Sequence, residues 1–186
     1  MKLSFRMDNI EKNYDYSKVS EDFYDIIPHK KAIEIANYEF FWDCVDELAP
    51  FGSDEGYIAF AELCDWVKDN PQVPLIDCFR WILKCWDLKL EEFNDDIIKN
   101  SSIIKIIQDL DFDQDLIMLD TTIIATGFGQ LILQGKIDAD IKNIIHLSIL
   151  RQMNSNVLDA FLGSNEEWKY ERYKYLQKLL EILEIA

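Results

Sequence analysis

Apolar residues recur at three- and four-residue steps along most of this 186-residue chain, and no run alternates apolar with polar for a useful length. A helix buries one stripe of side chains and a strand every second one, so this pattern predicts helices and no sheet. Residues 19–27 predict a short helix stopped by Pro28. Residues 29–48 predict a longer one, with Ile33, Ala36, Phe40 or Phe41, and Cys44 inward, before Pro50 ends it. Ser53 is a suitable N-cap for the next helix. Asp54 and Glu55 favour the positive end of its dipole, and Tyr57, Phe60, Ala61, Cys64 and Val67 form its apolar stripe. Beyond Pro71 and Pro74, Leu75, Cys78, Phe79, Ile82, Cys85 and Trp86 match the amphipathic template. Trp81 and Leu83 make that helix apolar on nearly all sides, which marks it as internal.

Residues 91–100 read as a polar loop and 101–109 as a short helix of paired isoleucines. The run LIMLDTTIIATGFGQLIL at 116–133 predicts a long apolar helix, capped by Asp113 or Asp115 and ended by Gly135. It has the length of a minimal membrane span. Asp120 and Gln130 inside it, and no Lys or Arg on its immediate flanks, favour a buried central helix instead. Gly127 and Gly129 mark a close helix contact or a break. Residues 139–153 predict a helix with Ile141, Ile144, Ile145 and Ile149 inward, and 157–162 a turn or two closed by Gly163. Ser164 and Glu167 form a capping box for a last helix running on Tyr173, Leu176, Leu180 and Leu183. The expected fold is all-α: a single-domain irregular bundle of about eight helices around a buried central apolar helix, spanning 18–186 behind a polar leader at 1–17.

Composition adds one strong constraint. Apolar residues make up 49% of the chain, enough to close a core, while 19 Lys plus Arg against 35 Asp plus Glu leave a net charge of −16. A field of that sign repels polyanions, so direct nucleic-acid binding is not expected. Cys44, Cys64, Cys78 and Cys85 form no C-x-x-C pair and read as small buried thiols rather than a zinc or redox site. The first residues are charged throughout and lack the apolar core of a secretory signal, so the expected location is a reducing cytoplasm, off the membrane.

The charge is densest at residues 43–69, where Asp43, Asp46, Glu47, Asp54, Glu55, Glu62, Asp65 and Asp69 face a single cation, Lys68. On the helix after Ser53, Glu55, Glu62, Asp65 and Asp69 fall near one stripe, and like charges so spaced weaken a helix unless a cation or a basic partner offsets them. The link at 47–56 is fixed by Pro50, Gly52 and Gly56, and its carboxylates suggest a functional loop held by the scaffold. Asp109, Asp111, Asp113 and Asp120 follow EF-hand positions 1, 3, 5 and 12, but Gln114 stands where that loop needs Gly, so a capping turn is the simpler reading. His29 fits a helix first turn and His146 the edge of the core. Neither sits in an H-E-x-x-H arrangement, and no nucleophile elbow, P-loop or dinucleotide fingerprint occurs.

These features lead to an expected acidic protein-binding module without catalytic activity or cofactor. One form is an immunity-type protein that neutralises a basic partner, such as a toxin nuclease, by covering its active site. The expected contact set is Asp43, Asp46, Glu47, Asp54, Glu55, Glu62 and Asp65, with Phe51 as apolar anchor. The alternative is a divalent-metal-dependent enzyme or regulator built on the carboxylate clusters.

Overall fold

In the computed structural model, residues 26–85 and 114–186 are described. The predicted leader, the loop at 91–100, the helix at 101–109 and most of the helix at 19–27 lie outside them. Seven α-helices occur among the described residues, and no strand: α1 Lys30–Ile35, α2 Asp54–Asp69, α3 Leu75–Cys85, α4 Gln114–Gln134, α5 Ala139–Gln152, α6 Ser155–Leu162 and α7 Glu166–Ile185. The fold is all-α, and α4 is its central helix, packed by α2 and α5 and more lightly by α1 and α3.

The stretch predicted as one helix at 29–48 divides into α1, a 3-10 turn at Glu39–Trp42, and an irregular loop. Phe40, Phe41 and Trp42 of that turn are all buried. Trp42 Nε1 donates to the Ala36 carbonyl at 2.8 Å and ties the turn to the end of α1. His29, placed by the sequence in a first turn, is the N-cap of α1: Nδ1 accepts from Lys31 N at 3.2 Å.

Ser53 caps α2 as expected, its Oγ accepting from Gly56 N at 3.2 Å. The buried stripe of α2, however, is Gly56, Ala59, Phe60, Leu63 and Cys64, leaving Tyr57 and Ile58 outward. The phase is set by α4, which crosses so closely at Gly129 that a methyl there would lie 2.5 Å from Leu63 and 2.8 Å from Phe60. Gly127 makes the matching approach to Ile145 of α5, so both glycines are contact points in an unbroken helix. By length and composition Leu116–Gln134 could cross a membrane, yet 83% of its apolar window is buried inside the fold.

Gly135 ends α4 at φ +69°. All four predicted isoleucines of α5 point inward. The N-cap of α7 is Asn165 rather than Ser164, with Asn165 Oδ1 accepting from Trp168 N at 3.2 Å. Its buried line is Arg172, Leu176, Leu179, Ile182 and Leu183, and Tyr173 is exposed.

Candidate functional site

The loop between the 3-10 turn and α2 is built by its own backbone bonds. Asp43 Oδ1 accepts from Val45 N at 2.8 Å and Asp46 N at 3.0 Å, a side-chain-closed turn that pushes Val45 into solvent. Asp46 Oδ1 accepts from Leu48 N at 2.9 Å, and Ala49 N donates back to the Asp46 carbonyl at 2.8 Å. The chain then doubles back so tightly that a Cβ on Gly52 would lie 1.9 Å from that same carbonyl oxygen. Phe51 sits beneath the loop at 0% exposure, edge-on to Phe41 and tilted against Phe60. It holds the loop to the core and is not available as an apolar anchor for a partner, which corrects the expectation for this residue.

A buried polar network fastens the loop from the other side. Arg172 of α7 donates from one terminal nitrogen to the Leu48 carbonyl and from the other to Gln152 Oε1 of α5. Gln152 Nε2 in turn donates to Thr121 Oγ1 of α4 at 3.1 Å. Next to it, Arg151 Nε donates to both Asp120 oxygens, at 3.0 and 3.1 Å, and a terminal nitrogen of Arg151 also reaches Ser148 Oγ at 3.0 Å. The Asp120 and Arg151 side chains are both 0% exposed. Burial drives the Asp120 carboxyl above its ordinary value, and Arg151 opposes this. Burial likewise pulls the Arg172 guanidinium down to about 10, against the favourable charges of Asp46 and Asp120. At the loop's edge, the Tyr175 hydroxyl lies 2.9 Å from Asp46 Oδ2 and 3.1 Å from Glu171 Oε1, with its ring stacked on Phe40 at 4.2 Å. Burial first, then the bond to Asp46, raises the Tyr175 pKa, so the hydroxyl stays a donor.

This network was legible in part. Arg151 and Arg172 fall on the inward stripes of α5 and α7, and Asp120 is the one acid within the apolar run 116–133, so three charges at apolar positions are the signal.

The predicted contact residues divide by exposure. Glu47, Asp54 and Asp65 are exposed, whereas Asp43, Asp46, Glu55 and Glu62 are half-buried. Asp43 and Asp46 each spend one oxygen, Oδ1, on the loop itself. Asp65 pairs with Lys68 at 3.0 Å. The loop carboxylates do not converge: among the described residues, no three His, Cys, Asp or Glu side chains group closely enough to hold a metal ion. Asp120, the twelfth residue of the EF-hand-like spacing, is turned inward to Arg151 from within continuous helix and is not a metal ligand; the first three aspartates lie outside the described residues. His146 is exposed. Burial pushes the Cys64 and Cys78 thiols up to about 12, so neither is a thiolate nucleophile at neutral pH. Cys44 is half-buried and Cys85 exposed, so only two of the four thiols are buried as expected.

Between α3, α4 and α5 lies a cavity of ≈ 20 Å³ walled by Leu75, Phe79, Ile123, Ile141 and Ile145, with Thr126 as its one polar side chain. That is room for one water, which needs two to four polar partners, so the cavity is a packing gap rather than a substrate site. The chain matches no protein-family model, no curated protein and no solved structure.

Proposed function

We propose that this protein is an acidic binding module that neutralises a basic protein partner, in the manner of an immunity-type protein covering the active site of a toxin nuclease. The observation that carries this reading is the run of outward carboxylates from the loop onto α2, with Glu47, Asp54 and Asp65 exposed and Asp43, Glu55 and Glu62 at its margin. Lys68 is the lone cation in residues 43–69. The loop is anchored by Phe51, Arg172 and Tyr175, so its charges are presented without an ordering cost on binding. A nuclease cleft is positive because it binds phosphates, and a rigid negative surface competes for it and associates quickly by electrostatic steering.

The test is titration of the full chain into cationic nuclease domains, with binding followed by calorimetry and cleavage of nucleic acid followed in parallel. One-to-one binding that blocks cleavage is expected, with affinity falling at least about tenfold from low to high salt. An affinity that does not change with salt removes the electrostatic argument, and the reading with it.

A further inference from the structure

The flank of α7 beside the loop carries an aromatic group that folding leaves in water. Trp168 is 50% exposed, and Val45, on the loop's outward turn, is 86% exposed. Trp168, Arg172 and Tyr175 share one side of α7 by helical spacing. Because Arg172 reaches Leu48 and Tyr175 reaches Asp46, Trp168 continues that side by one turn toward the helix N-terminus. Seven residues at 1.5 Å rise put about 10 Å between the levels of Trp168 and Tyr175, the footprint of one or two side chains.

Acidic groups line this flank. Glu167 and Glu171 are exposed on α7 within one turn of Trp168, and Glu47 is exposed on the loop that Arg172 and Tyr175 hold. Among the described residues, the cations of this part of α7 are drawn away. Lys169 is tied to Asp159 at 2.6 Å and to Glu166, Arg172 points into the core, and Lys174 lies over the Tyr170 ring on the opposite side. Charge decides the occupant. An anionic membrane, a nucleic acid or a second copy of this chain would bring negative charge to a negative flank. A guanidinium fits both halves of the surface, since it stacks on an indole face and pairs two-pronged with a carboxylate, which an ammonium does less well.

We propose that this flank of α7, centred on Trp168 with Glu167 and Glu171 beside it on the same helix, docks an arginine-bearing patch of the basic partner, one guanidinium stacking on the indole. This rests on the acidic-module reading above and moves the apolar anchor from Phe51 to Trp168. Trp is the residue most enriched where binding energy concentrates.

The experiment titrates the full chain with a short alternating Arg-Gly peptide and its Lys-Gly counterpart. Trp168→Gln, Trp168→Phe and Glu171→Gln are compared with the parent, and each fold is checked by circular dichroism. The arginine peptide is expected to bind more tightly than the lysine one. Trp168→Gln is expected to lose about tenfold in affinity for it, Trp168→Phe to keep most of that affinity, and Glu171→Gln to fall between them. Saturable, salt-dependent binding that is equal in the parent and Trp168→Gln overturns the docking site and leaves the acidic-module reading standing. No saturable binding of either peptide overturns the acidic-module reading itself.

Discussion

Asp120 shows how one side chain can be misread when its partner is far away in sequence. Within its own helix it is an acid interrupting an apolar run, and by spacing it is a twelfth-position ligand. In the fold it is half of a dry ion pair with Arg151, 31 residues on. Removing one member of such a pair strands the other charge where neither water nor a counter-ion reaches it, at a cost of about 3–5 kcal/mol. Asp120→Asn is therefore expected to lower unfolding stability by that amount in a denaturant titration. Asp120→Leu combined with Arg151→Met, which removes both charges at similar volume, is expected to lose much less. A loss under about 1 kcal/mol for Asp120→Asn would mean that the pair is hydrated in solution. Phe51 teaches the complementary lesson: an aromatic in a Pro-Gly loop offers itself to a partner by sequence, yet this one faces the core because Phe41 and Phe60 stand beneath it.

Among the elements, the loop before α2 depends on backbone closeness more than on its carboxylates. Gly52 lies against the Asp46 carbonyl and Gly56 against the Pro50 carbonyl, where a Cβ would come within 1.9 and 2.4 Å of oxygen. Backbone cannot swing aside as a side chain does. Gly52→Ala is thus expected to lose about 1–3 kcal/mol in thermal or denaturant unfolding, the range for forced overpacking. An unchanged stability would show that the doubled-back loop is not held in solution. The sequence marked this loop and its Ser53 cap correctly, because Pro, Gly and Ser act through local stereochemistry. It missed the 3-10 turn at Glu39–Trp42, since a period of three or four cannot tell a long helix from a short helix followed by a run of buried aromatics.

At the scale of the molecule, a net charge of −16 means that the folded body repels itself. Salt shortens the reach of that repulsion from about 30 Å at 0.01 M to about 8 Å at 0.15 M. Adding salt over this range is expected to raise the thermal midpoint by about 2–4 °C, the shift of a 1 kcal/mol change in a chain of this size. A fall instead would show that ion pairs such as Lys169 with Asp159 and Glu166 outweigh the net repulsion. By itself the sequence determined the all-helical class, the central helix and most of its boundaries, because apolar period, caps and helix-stopping glycines act within a few residues. It determined the sign of the surface as well, since charge is additive along the chain. Only the tertiary structure decided which face of α2 is buried, that Arg151 and Arg172 turn inward to meet Asp120, Gln152 and the Leu48 carbonyl, and that Trp168 rather than Phe51 is left in water. Those outcomes depend on how closely helices distant in the chain can approach, and two glycines of α4 set that distance.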